Sequence, residues 1–199
     1  GIACPYHGWL YDTKGNCLET PAEPASSKFH LTVKHKAYPV QKLVGLHWTY
    51  MGPQPAPLMT NFDIWFRKDG KRKIFIQPQL DCNWFQAMEN SVDPAHLQIL
   101  HQETAGRGRA VADSTRGLTD DVANFDFYEV SYGIMKRRTY KNGMVDEHPL
   151  IFPNILRQGN VGQIRVPIDD THTKVYFVRF FPSENGEIIE DDEPPVEYI

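Results

Sequence analysis

Cysteine is scarce in this chain. Cys4, Cys17 and Cys82 are the whole complement, too few and too dispersed for a disulfide framework, so a reducing cytoplasm fits better than secretion. Long hydrophobic runs are missing as well: no stretch of about 18 apolar residues is there to span a membrane, and no signal-peptide pattern precedes the first motif. Positive charge is in deficit, with 21 Lys and Arg against 25 Asp and Glu and a formal net charge of -4. That balance, with a pI near 6.1, argues against a nucleic-acid partner, because a phosphate backbone is held by cationic surface. No Gly-x-Gly-x-x-Gly fingerprint is present, and no internal repeat. What remains is an ordinary globular composition, 199 residues and 41% hydrophobic, enough to bury a core in one domain or two.

Short extended segments with turn punctuation fill the first fifty residues. WLYD, a tight KGN turn and the proline-interrupted CLETPAEP are followed by expected strands at Lys34 to Ala37 and Val44 to Tyr50. GPQPAP then makes a stiff extended connector. The domain organisation expected from this is 1–52, a linker at 53–60, and 61–199. In the second part KIFIQPQL, Lys73 to Leu80, reads as a strand whose proline demands an edge or a bulge. Residues 102–122 are polar, Gly/Arg-rich and aperiodic, as a long loop is. Five strand-like runs follow: Asn124 to Val130, Ile134 to Tyr140, Leu150 to Arg157, Gln163 to Ile168 and Lys174 to Phe181. Their Gly, Asn-Gly, Gly-Asn and Asp-Asp punctuation predicts an antiparallel meander. The acidic, proline-bearing tail from Glu184 to Glu197 has little to bury and is expected to be loose.

Two motifs carry metal chemistry. CPYHGW places Cys4 and His7 three apart, a thiolate and an imidazole, with Gly8 freeing the backbone beside them. A single such pair is also compatible with a plain turn around a buried cysteine. DCNWFQAMENSVDPAHLQILH, residues 81–101, ends in His96 and His101 and carries Asp93 three residues before the first. Asp93-Pro94 predicts a helix start, since the carboxylate accepts an orphan amide and proline at the first helical position loses nothing. On an ideal helix His96 and His101 diverge by roughly 140°, so both can reach one metal only if the helix deforms between them. The alternative is two satisfied histidines on an amphipathic helix whose core face is Val92, Leu97 and Leu100.

Taken in order, CPYHGW, the proline connector and ENSVDPAHLQILH resemble the Rieske non-haem iron oxygenases, with the pattern of the phthalate dioxygenase branch. The resemblance implies an α+β architecture: part of a small all-β Rieske domain, then an antiparallel sheet with helices in a helix-grip, START-like catalytic domain. It implies a Rieske-type 2Fe-2S cluster, with Cys4 and His7 as the second half of its ligand set, and a mononuclear Fe(II) held by His96 and His101. Asp93 matches the family's bridging aspartate, which links the iron site to a cluster histidine of a neighbouring subunit; the helix cap is the rival account of it.

The implied activity is that of a terminal oxygenase component. It inserts oxygen from O2 into an aromatic, carboxylated substrate, by ring dihydroxylation, hydroxylation or O-demethylation. Electrons would come from NADH or NADPH through a separate reductase component, and a homo-oligomer, a trimer or a multiple of one, is implied. Arg137, Arg138, Arg157, Arg165 and Arg179 all fall on expected strands, and any that faces a cavity could clamp a carboxylate with two hydrogen bonds. The family's Cys-x-His and its carboxylate iron ligand have no counterpart here, so a piece cut at both ends is expected. Asp169, Asp170 and Glu184 are read as turn or surface residues. Two other readings stand beside this one: a non-catalytic Rieske electron carrier fused to a ligand-binding domain, and a zinc site built on Cys4, His7 and a helical histidine.

Overall fold

The computed structural model describes residues 1–59, 62–96, 100, 122–189 and 193–199. The chain forms two compact units, Gly1–Thr60 and Asn61–Ile199. In the first, β1 (Ile2–Ala3), β2 (Leu10–Tyr11) and β3 (Cys17–Glu19) make a three-stranded antiparallel sheet. The turn joining β2 and β3 is held by the Asp12 carboxylate, which accepts from the Lys14 and Asn16 amides, both at 2.8 Å. A hairpin of β4 (Val40–Leu43) and β5 (Leu46–Thr49) follows. The strand expected from Val44 therefore begins two residues later. Val44 and Gly45 are the turn itself, with φ of 49° and 75°, the left-handed pair that a two-residue hairpin needs. The strand expected at Lys34 to Ala37 reduces to a single bridge between Asn16 and Lys34.

The second unit is built on an eight-stranded sheet. Its strands are β6 (Gly70–Leu80), β7 (Val122–Val130), β8 (Gly133–Tyr140), β9 (Val145–Ile151), β10 (Ile155–Gln158), β11 (Val161–Pro167), β12 (Thr173–Pro182) and β13 (Val196–Tyr198). The order is β13-β6-β12-β11-β10-β9-β8-β7, so β7 to β12 form the expected antiparallel meander. The run read as one strand from Leu150 to Arg157 is the end of β9 and all of β10. Pro153 has no amide to give a ladder, and the chain reverses there so that Leu150 faces Leu156. Pro78 does sit at a bulge, where Leu80 and Gln77 face Thr173 and Val175. The tail is not loose at its end: Val196–Tyr198 pairs in parallel with Ile74–Ile76, and Glu197 reaches the Lys73 ammonium. Backbone pairing, to which composition is blind, holds it.

The two faces of this sheet carry different helices. On one, Ile74, Val178 and Phe180 are almost fully buried, and α1 (Asp63–Phe66) adds Ile64 and Trp65, which close over the bare face of Gly162. Arg72 is buried there too, its guanidinium donating to the carbonyls of Ile64 and Arg67. On the other face lies α2 (Trp84–Val92). Trp84, Met88 and Val92 recur every fourth residue, which puts them on one helix face, and they pack with Ile134, Leu150 and Leu156. Asn83 caps α2, accepting from the Phe85 amide at 2.8 Å, and its own amide group donates to the Asp170 carbonyl at 2.8 Å.

Beyond the end of α2, that face turns polar. Lys136, Arg138 and His148 are all buried, and they are satisfied differently. The Lys136 ammonium donates to the Ser91 carbonyl at 2.9 Å, one of the carbonyls a helix C-terminus leaves open. Arg138 pairs with Asp146 and donates to His148 Nδ1 at 3.2 Å, while His148 Nε2 lies 3.1 Å from Asp146. The bond from His148, working against burial and joined by the charge of Arg138, holds the Asp146 carboxyl down at about 2. An acid whose folded value lies below its ordinary one near 3.8 stabilises the fold above that ordinary value, and the contribution fades as pH falls toward 2. Asp146→Asn should therefore cost about 2 kcal/mol in urea unfolding near neutral pH, with the gap from the unmodified protein closing between about pH 4 and pH 2.

Candidate metal and electron-transfer site

Cys4 and His7 lie in the loop between β1 and β2. The Cys4 amide donates to the Trp9 carbonyl at 2.8 Å, and the Gly8 amide to the Cys4 carbonyl at 2.9 Å, folding the six residues from Cys4 to Trp9 into a tight turn. Gly8 has φ of 72°, a conformation that favours glycine. Cys4 is a free, half-buried thiol and His7 is exposed. The His7 ring meets Tyr6 edge-on at 4.2 Å, and Trp9 anchors the loop edge-on to Phe29 at 5.7 Å. Two donors of metal-binding type, a half-buried thiol and an exposed imidazole, are thus held on one tight turn. Cys17, by contrast, is buried and donates to the Glu19 carbonyl at 3.4 Å, a packing role.

Asp93 stands at a junction. The helix expected to begin there is preceded by α2, which the sequence reading missed although Asn83 and the spacing of Trp84, Met88 and Val92 announced it. Asp93 terminates α2 in extended conformation, its amide donating to the Glu89 carbonyl at 3.2 Å. Its side chain then starts the next turn: one carboxylate oxygen accepts from the Ala95 amide at 2.7 Å, and Ala95 and His96 are helical. The other oxygen lies 3.3 Å from His96 Nδ1. Burial is the largest single influence on the Asp93 carboxyl and raises its pKa, but the Ala95 amide and the His96 ring together outweigh it and leave the group below its ordinary value.

The Asp93–His96 contact has a chemical consequence. A carboxylate against Nδ1 favours the proton on that nitrogen and makes Nε2 the metal-ligating type of nitrogen in the ring. His101, and Leu97 with it, lies outside the described residues, and so does the expected convergence of His96 and His101. Leu100 is helical but 56% exposed, so it is not part of the core face expected for it. Among the described residues no group of three His, Cys, Asp or Glu side chains is placed to hold a metal ion. Asp169 accepts from the Thr171 and His172 amides, both at 2.8 Å, which is a turn role.

Of the five arginines, four are committed elsewhere. Arg137 bonds Glu147 at 2.7 Å on the exposed side, Arg138 pairs with Asp146, Arg157 grips Asp63 with two bonds of 2.9 and 2.8 Å, and Arg179 stacks over Phe181 at 5.0 Å. Arg165 is buried and lines a cavity of about 320 Å³ between α2 and the strands β6, β11 and β12. A second cavity of about 350 Å³, apolar and lined by Trp84, Met88, Val92 and Phe152, lies along the other flank of α2.

Residues 1–39 match the Rieske [2Fe-2S] domain. The 5,5'-dehydrodivanillate O-demethylase oxygenase subunit of a Sphingobium species is 38% identical over 85% of this chain and 41% of its own length. The phthalate 4,5-dioxygenase oxygenase subunit of Pseudomonas putida is 36% identical over 93% of this chain and 46% of its own. The chain thus spans less than half the length of these curated relatives. In three dimensions it resembles the terminal oxygenase of carbazole 1,9a-dioxygenase from Nocardioides aromaticivorans, with a TM-score of 0.64, 18% identity, and coverage of 92% of this chain and 59% of that one. The small three-stranded sheet followed by a large sheet carrying helices is the fold they share. With the Cys4–His7 turn and the Asp93–His96 junction in the same order as the family's motifs, this chain belongs to the Rieske non-haem iron oxygenases.

Proposed function

We propose that the protein is the terminal oxygenase component of a Rieske oxygenase system, inserting oxygen from O2 into an aromatic substrate by dihydroxylation, hydroxylation or O-demethylation. The observation that carries this reading is the Asp93 carboxylate, which caps one helical turn and holds His96 Nδ1 at 3.3 Å. A histidine kept merely as a core filler has no need of an acid fixing its tautomer. Residues 1–52 are read as the Rieske part, 53–60 as the linker and 61–199 as the mononuclear iron part. A reductase drawing on NADH or NADPH is the implied electron donor, a homo-oligomer the implied assembly, and the cytoplasm the implied compartment. Among the described residues no helix is long and apolar enough to cross a membrane.

Cys4 and His7 would hold the Rieske cluster; His96 and His101 would hold Fe(II). When bound, the cluster supplies single electrons and the iron supplies the place where dioxygen and substrate meet. The protein's own contribution is positional. The Gly8 turn keeps the His7 ring at the surface, where its outer nitrogen can meet a carboxylate. Asp93 orients His96, and its two oxygens retain lone pairs beyond those used by Ala95 and His96. One of them is available to a histidine of another subunit, the role assigned to His7. Lys136, bonded to the Ser91 carbonyl at 2.9 Å, pins the end of α2 and so the start of the Asp93 segment.

The protein as its gene encodes it should contain iron and acid-labile sulfide. Cys4→Ser should remove the sulfide and the brown colour, while His96→Ala should remove one iron per chain and leave the sulfide. Zinc without sulfide in the unmodified protein refutes the assignment. Asp93→Asn should keep the cap, and with it the melting temperature, because asparagine caps about as well as aspartate, whereas Asp93→Ala should cost about 1 kcal/mol. Both should slow single-turnover electron transfer to the mononuclear site by about tenfold or more. Normal electron transfer in Asp93→Asn would leave Asp93 only a cap.

A further inference from the structure

Lys136 is 3% exposed, and its ammonium reaches the end of a helix rather than solvent. The strand registers set it between Phe127 of β7 and His148 of β9, on the α2 side of the sheet. Burial, with the charge of Arg138 acting in the same direction, pushes the ammonium down to about 8, while Asp93 and Asp146 work against this. An apolar side chain of similar length would spare the fold that cost. What the cation supplies instead is a donor for the Ser91 carbonyl, at 2.9 Å.

The need for that donor comes from the next four residues. In an unbroken helix the Ser91 carbonyl accepts from the amide of Ala95. Here that amide donates to the Asp93 carboxylate at 2.7 Å, a local side-chain bond of the kind that competes with helix continuation. Pro94 has no amide to offer, and the residue before a proline is steered out of helical backbone, as Asp93 is with ψ of 115°. Ser91 is 5% exposed, and a buried carbonyl left without a donor is costly. Lys136 takes the place that Ala95 has vacated. Arg138 is no substitute, since its guanidinium is committed to Asp146 and His148.

We propose that Lys136 is the positioning residue of the Asp93–His96 pair. Two acceptors, the Ser91 carbonyl and the Asp93 carboxylate, compete for one amide, and the ammonium decides between them. With Ser91 satisfied, the Ala95 amide stays on one oxygen of Asp93, and the other oxygen stays 3.3 Å from His96 Nδ1. Without Lys136 the Ser91 carbonyl draws the Ala95 amide back, the junction tightens toward a continued helix kinked at Pro94, and the Asp93 side chain loses its anchor. The inference rests on the oxygenase reading for its effect on electron transfer, but not for the placement of Asp93.

The test uses the protein as its gene encodes it. Lys136→Met should slow single-turnover electron transfer to the mononuclear site by about tenfold and leave the acid-labile sulfide unchanged. Lys136→Arg, which restores a charged donor, should recover most of the rate. Placed on Asp93→Asn, Lys136→Met should add less than about threefold, because the route through Asp93 is already cut. Crystal structures should show the Ala95 amide on Asp93 in the unmodified protein and on the Ser91 carbonyl in Lys136→Met, with the carboxylate out of hydrogen-bond reach of His96. Lys136→Gln, uncharged and one atom shorter, replaces Lys136→Met if that variant does not fold. Electron transfer within about twofold of normal in the variant overturns the proposal, as do fully additive losses in the double variant or an Asp93 that has not moved. A displaced Asp93 in a protein whose unmodified form holds no mononuclear iron would sink the oxygenase reading and leave the positioning role standing. Iron and electron transfer present in the unmodified protein and untouched in Lys136→Met would do the reverse.

Discussion

Everything near the candidate centre depends on how α2 lies on one face of the sheet. Met88 packs against Leu150 and Leu156 while Trp84 and Val92 extend the same stripe, so the helix cannot roll without exposing its apolar face. At its start the Asn83 cap is tied to the Asp170 carbonyl; at its end the Lys136 ammonium holds the Ser91 carbonyl. Both ends are thus fixed to turns or strands of the meander. Asp93 comes immediately after the pinned end, and His96 one turn later, so their placement is inherited from that packing rather than set by local propensity.

The same face shows three ways of keeping a cation in a protein interior. Arg138 is neutralised by Asp146 and ordered by His148; Lys136 is offset by the open carbonyl end of a helix; Arg165 faces a cavity with neutral acceptors alone. Burial of an ion costs several kcal/mol unless it is matched. The first two cations are matched by an acid or a helix end, and among the described residues the third has only neutral acceptors. Arg72, on the opposite face, donates to the backbone carbonyls of Ile64 and Arg67, and its charge helps to lower the pKa of the Asp69 carboxyl.

The two halves of the proposed chemistry are built on different principles. Cys4 and His7 sit on a glycine-dependent turn of small strands, where backbone bonds between Cys4 and Trp9 and between Gly8 and Cys4 fix the loop. Asp93 and His96 sit between helical segments on a large sheet, where side-chain packing does the fixing. A turn suits donors that must be presented outward to a partner. A helix junction suits donors that must point in from one wall of a pocketed face.

The sequence alone determined the motifs and their order. The Cys4–His7 turn with Gly8, the Asp93 cap before His96, and the turn-punctuated meander were legible because each is local: a spacing, a cap or a turn residue that acts on its immediate neighbours. Tertiary structure decided what pairing and packing over distance decide. It broke Leu150–Arg157 at Pro153, and it paired Val196–Tyr198 with Ile74–Ile76 although the tail's composition promised nothing. Five strand arginines looked alike in one dimension, since alternation gives two faces but no partners. Only the register that sets Arg138 opposite Asp146 and Arg165 opposite Val175, beneath α2, separates the structural guanidinium from the one left facing a cavity.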